Sequence, residues 1–127
     1  MEQRFIHKPK FIPEYVGDDG LMKYSMDSDL IYWDGTNQII VKAVSNNEVF
    51  ITNLASIPTW LHKIIKPDNK YIKYASALHD GLYEHKSIMS RVRSDWMYLS
   101  ALKAEECPLI LRWTFFLGVR CFGSSYR

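Results

Sequence analysis

SALHDGLYEHKSIMSRVRSDWMYLSAL, residues Ser76 to Leu102, reads as two helices joined by a short turn. In the first, Tyr71, Tyr74, Ala75, Leu78, Leu82 and Tyr83 recur at three- and four-residue spacing, which predicts a core-facing stripe on a helix starting near Asp68 or Asn69. Ser87 or Ser90 can cap the second, with Val92, Trp96, Leu99 and Leu102 expected inward. His79 and Tyr83 stand four residues apart on one face of the first helix, while Asp80 is turned by about 100° onto the next row. If the second helix folds back antiparallel, Asp95 faces His79. An imidazole, a carboxylate to orient it, a phenol to hold that carboxylate and a second carboxylate beside it are the parts of an oriented general base.

Upstream, Thr52-Asn53-Leu54-Ala55-Ser56-Ile57-Pro58 reads as a strand end passing into a helix, with Ser56 as N-cap and Pro58 in the first turn, where its missing N–H costs nothing. That helix carries Trp60, Leu61, Ile64 and Ile65 and stops before Pro67. Downstream, Pro108 opens a fourth helix through Ile110, Trp113, Phe116 and Leu117, ended by Gly123. Before Thr52 the pattern is extended. Leu30 to Trp33 and Ile39 to Val41 flank an Asp34-Gly35 turn, a strong hairpin signal, and Val49 to Ile51 after Asn46-Asn47 add a third strand. Residues 1–20, broken by Pro9, Pro13, Gly17 and Gly20, are expected to be irregular, with at most one strand around Arg4 to His7. The expected class is α+β, a small N-terminal antiparallel meander followed by about four helices. One domain over 1–127 is expected, mainly β over 1–51 and mainly α over 52–127.

Composition bounds the function classes. A chain of 127 residues with 47% hydrophobic content can bury a modest core. A formal charge of +2 gives no argument for nucleic acid or an anionic membrane as partner. No apolar run is long enough to span a bilayer, and the start has no signal-peptide pattern, so a cytoplasmic protein is expected. Cys107 and Cys121 bracket the last helix, which would hold them roughly 20 Å apart, too far for a disulfide.

A lone histidine on a helix is usually a core-edge residue with one hydrogen bond. Here its neighbours argue for more. Asp80 is a poor helix former, and Gly81 costs up to about 1 kcal/mol relative to alanine. Two unfavourable residues beside a histidine point to a function or to close approach of another segment at Gly81. Asp95, four residues after Arg91, reads either as an exposed ion pair or as the orienting partner of His79. Arg91 can orient Asp95 or bind an anionic substrate. His7, His62 and His85 have no spacing that recommends them. Zinc spacing of the His-Glu-x-x-His or paired-cysteine kind is absent, as is the Gly-x-Ser-x-Gly turn of serine hydrolases.

Thr52 to Pro58, Ala77-Leu78-His79-Asp80-Gly81-Leu82-Tyr83, Arg91 with Ser94-Asp95, and Val119-Arg120-Cys121-Phe122-Gly123 together resemble, in order and spacing, the phage-encoded family called domain of unknown function 1353. The family pattern has Asp where this chain has Asn53, which weakens any cation site there, since an amide oxygen does not neutralise the ion. The resemblance implies phage origin, with the host cytoplasm or the virion as location. A local likeness bears on mechanism. His79-Asp80-x-x-Tyr83 with Asp95 on the next helix is similar to the phospholipase A2 helix pair, although the disulfides and glycine-rich calcium loop of that family are missing. That likeness implies His79 as base, Asp95 as orienter, Tyr83 as its support and Asp80 as ligand to a divalent cation, calcium rather than zinc. Asn53, Ser56 and Arg91 are then expected at the substrate. The expectation is a hydrolase of an ester, phosphoester or cell-wall bond. The rival is a non-catalytic virion component or host-factor binder, contacting other phage proteins or a host protein, whose polar cluster only locks the helices.

Overall fold

The computed structural model describes residues 2–18, 20–54, 72–84 and 89–122. Within them, strands β1 (Arg4–His7), β2 (Phe11–Val16), β3 (Met22–Met26), β4 (Leu30–Trp33), β5 (Gln38–Val41), β6 (Val44–Ser45) and β7 (Glu48–Val49) precede helices α1 (Lys73–Glu84), α2 (Arg91–Ala104) and α3 (Leu109–Phe122). The class is α+β, small antiparallel sheets followed by three helices. The expected first helix, through Trp60 to Ile65, lies outside the described residues, as do the Ser56 cap and the Gly123 stop.

The Asp-Gly turn forms for the reason read from the sequence. Asp34 Oδ1 accepts the backbone N–H groups of Thr36 and Asn37, both at 2.7 Å, and Gly35 takes φ +103°. This turn fixes the β4–β5 register, with Leu30 opposite Val41 and Tyr32 opposite Ile39. All four of those side chains are buried, because alternation along each strand puts them on one face. Strand β1 pairs with the other edge of β4.

Among the described residues the single meander is corrected to three sheets, ordered β1-β4-β5, β2-β3 and β6-β7. Residues 1–20 hold two strands, not one at most. The missed strand, β2, lies at the edge of its two-stranded sheet and shifts register between Pro13 and Tyr15, so the proline's missing donor breaks little. The third expected strand shrinks to β7, paired with β6 across Asn46-Asn47, both residues at positive φ as this tight turn requires. Thr52 instead bridges to Tyr24 through N–H···O bonds of 2.8 and 3.0 Å, which ties the end of the β region to β3.

Helix α1 lays Ala75, Leu78 and Leu82 into the core formed with Leu30, Tyr32, Val41 and Leu102. Ser90 caps α2, accepting from the Arg93 N–H at 3.3 Å. The orientation expected for α2 is corrected in its first two turns: Val92 and Trp96 point to solvent, Trp96 being 52% exposed, whereas Ser94, Asp95, Tyr98 and Ala101 face inward; Leu102 is buried as expected and Leu99 is half-buried. Both cysteines are free, as the geometry of the last helix required. Burial pushes the Cys107 thiol up to about 11, which keeps it protonated. No helix among the described residues is long and apolar enough to cross a membrane.

Gly81 is where α1 meets the sheet. A Cβ there would lie 2.6 and 2.7 Å from the two γ-methyls of Val41 on β5, far inside van der Waals contact. Close approach of another segment therefore accounts for this glycine. Gly81→Ala should lose about 1–3 kcal/mol in urea denaturation, overpacking outweighing the gain in helix propensity. In the Val41→Ala background the same change should cost far less or stabilise, and equal costs in both backgrounds would rule the contact out.

Candidate functional site

Four of the residues singled out in the sequence, His79, Tyr83, Arg91 and Asp95, meet where α1, α2 and α3 converge. Asp95 is fully buried, and its Oδ1 accepts from His79 Nε2 at 2.7 Å and from the Tyr83 hydroxyl. Its Oδ2 accepts from Arg120 Nη1 at 2.7 Å, with Arg91 Nε 4.0 Å away. Asp95 thus lies within the buried face of α2 and is no exposed ion pair.

Each partner arrives by helix geometry. Ser76, His79 and Tyr83 fall at three- and four-residue steps on α1 and meet Tyr98 and Asp95 in reverse order on α2, as an antiparallel pair requires: Ser76 Oγ lies 3.3 Å from the Tyr98 hydroxyl. The His79 ring, only 2% exposed, packs between the rings of Tyr83 and Tyr98, with centroids at 4.1 and 4.9 Å. Helix α3 returns antiparallel to α2, so its last turn lies beside the first turn of α2. Arg91 Nη2 donates to the carbonyls of Val119 and Arg120 at 3.3 and 2.7 Å, satisfying acceptors that the end of a helix leaves open.

The electrostatics are consistent. Burial by itself would raise the Asp95 pKa, but the hydrogen bonds from His79 and Tyr83 and the Arg120 guanidinium outweigh it and hold the carboxyl below its usual range. An ionised carboxylate only accepts, so His79 Nε2 carries the proton and Nδ1 is the acceptor of the neutral ring. Burial, reinforced by the bond to Asp95, raises the Tyr83 pKa and keeps its phenol a donor. Tyr98 is raised in the same direction by burial.

Asp80 faces elsewhere. It accepts from Thr52 Oγ1 at 2.5 Å, and that same oxygen takes the Leu54 N–H at 3.1 Å. The bond brings the turn carrying Asn53 alongside α1. Leu54 is buried at φ +60°, a left-handed conformation that a leucine rarely adopts. Ser56 lies outside the described residues. Among the described residues no group of three or more histidine, cysteine, aspartate or glutamate side chains is gathered around one point.

Sequence reasoning missed the roles of Arg120, Thr52 and Tyr98. Arg120 had a signal: a buried aspartate needs a cation, and an arginine in the last turn of an antiparallel helix is well placed to supply it. These features define a small α+β protein built on a helical hairpin with a buried histidine–aspartate pair. Residues 24–119 match the family described as Protein of unknown function (DUF1353), and the chain belongs to that family. No curated protein and no solved structure matches the chain.

Replacing Asp95 by Asn should cost about 3 kcal/mol near neutrality, since Arg120 and Arg91 lose their countercharge and the bonds from His79 and Tyr83 lose a charged acceptor. Because the folded-state pKa is depressed, the contribution is complete above the unfolded value of roughly 3.9 and is lost as pH falls through the folded value. Chemical denaturation from pH 7 to pH 2 should show wild type and Asp95→Asn converging below about pH 4. A constant gap across that range would contradict an ionised Asp95.

Proposed function

We propose that this chain is a phage-encoded hydrolase in which His79 activates water and Asp95 orients His79. The single observation that carries the reading is the polarity of the imidazole. With Nε2 committed as donor to a buried, ionised Asp95, the lone pair falls on Nδ1, and the carboxylate stabilises the imidazolium formed when Nδ1 takes a proton from water. Tyr83 and Arg120 hold Asp95 in place and Tyr98 fixes the ring plane. Asp80 binds a divalent cation or the substrate. Asn53, the backbone carbonyls after Thr52 and a carboxylate are hard oxygen donors that suit calcium better than zinc. Asn53, Ser56 and Arg91 contact the substrate, whose scissile bond is an ester, phosphoester or cell-wall linkage. The likeness of the His79, Tyr83 and Asp95 constellation to the phospholipase A2 helix pair supports this assignment of roles.

One observation favours a second reading, a non-catalytic virion component or host-factor binder. His79 is almost wholly buried, as a residue that only locks helices together would be.

Thermal unfolding of wild type, His79→Gln and Asp80→Asn, each with calcium, magnesium or zinc, separates the two when combined with assays on nitrophenyl esters, nitrophenyl phosphodiesters and peptidoglycan. The hydrolase reading expects calcium to raise the wild-type midpoint by several degrees and Asp80→Asn to abolish that rise. His79→Gln should stay folded and lose on the order of a hundredfold or more in turnover. No ion effect, no turnover on any substrate and a collapse of stability in His79→Gln would leave the structural reading standing.

A further inference from the structure

Helices α2 and α3 turn an apolar surface outward. On α3, Leu109, Ile110, Trp113 and Leu117 are 62%, 81%, 43% and 55% exposed, and Ile110, Trp113 and Leu117 lie along one side of the helix at three- and four-residue steps. On α2, Val92 and Trp96 are about half exposed and one turn apart. The two halves are continuous: Phe116 packs against Trp96 at 4.7 Å between centroids and against Trp113 at 5.7 Å, edge to face. Single exposed leucines need no explanation, but two tryptophans and four aliphatic side chains joined across two helices do.

We infer that this face pairs with the same face of a second copy of the chain about a two-fold axis. Weighted by ordinary side-chain areas, the six residues expose on the order of 700 Å² per copy. A pairing would then bury about 1,400 Å², within the range of specific interfaces and well above incidental contact. Tryptophan-rich apolar centres are what such interfaces hold. The two helices are antiparallel and 14 residues each, so their outer surface is a helical layer that a second such layer covers in the manner of a four-helix bundle. A formal charge of +2 per chain puts little repulsion between copies. A membrane surface fits less well, because a helix lying on lipid keeps a strongly basic face toward water, whereas the opposite side of α3 buries Phe115 and Val119 against the core.

Sedimentation of the full chain over a wide concentration range is the test, with Ile110→Glu and Leu117→Glu chosen because both positions are exposed enough to leave folding intact. Wild type should approach twice the 14.9 kDa chain mass at tens of micromolar. Each variant should weaken association by at least tenfold with an unchanged circular dichroism spectrum. A wild type that remains monomeric at the highest concentration, including one that instead binds phosphatidylcholine–phosphatidylglycerol vesicles, overturns the inference. So does a dimer that is indifferent to both changes but broken by Val16→Glu on the β2–β3 sheet.

Discussion

The structure turns on one carboxylate that has no access to water. Taking Asp95 out of solvent costs several kcal/mol unless every lone pair finds a donor, and the donors must come from elements that the chain can bring within 3 Å. Here α1 supplies His79 and Tyr83, and α3 supplies Arg120, while Arg91 of α2 itself is spent mainly on the carbonyls at the end of α3. The three helices therefore have one mutual arrangement in which the charge is satisfied. Slipping α1 by a turn would place Ser76 or Tyr83 opposite Asp95 in place of His79, and shortening α3 would remove the guanidinium. Buried charge of this kind is weak evidence for stability in itself, since apolar replacements often stabilise a fold. What it provides here is a single register.

The second constraint lies one residue further along α1. His79, Asp80 and Gly81 are consecutive, and on a helix consecutive residues point about 100° apart. Each serves a different neighbour: His79 meets α2, Asp80 meets Thr52 at the end of the β region, and Gly81 lets Val41 of β5 approach the helix backbone. One turn of helix thus joins the hairpin, the connecting turn and the sheet. A side chain at position 81 would push the helix away from β5 and so disturb the placement of the other two. The left-handed Leu54, pinned through its N–H to the hydroxyl that also holds Asp80, belongs to the same joint.

Much of this was legible beforehand because it depends on spacing alone. Four residues from His79 to Tyr83, a hairpin-length connection and an aspartate in the first turns of the next helix suffice to place the three together. An Asp-Gly turn between apolar runs suffices for β4 and β5. What failed were inferences that equate apolar with inward. Apolar character places Val92 and Trp96 in the core of α2, yet the buried face there is polar and is set by what Asp95 needs. Pro13 reads as a breaker of β2, whereas on an edge strand with an irregular register a missing N–H goes unnoticed. Arg120 was visible in the sequence but had no role until the fold brought the end of α3 next to the start of α2.

Helix α2 is consequently inverted over its first two turns, with Ser94 and Asp95 inside and Val92 and Trp96 outside. Such a helix gains less from apolar burial within its own chain than an ordinary amphipathic one, because the inward positions are spent on hydrogen bonds whose net worth is modest. The apolar side chains displaced outward are not scattered; through Phe116 they join those of α3 into one surface. The polar interior and the apolar exterior of this hairpin are therefore two consequences of a single choice. Placing a charged network at the centre of the three described helices leaves Val92 and Trp96 of α2 facing out, and a partner docked on that face would bury them.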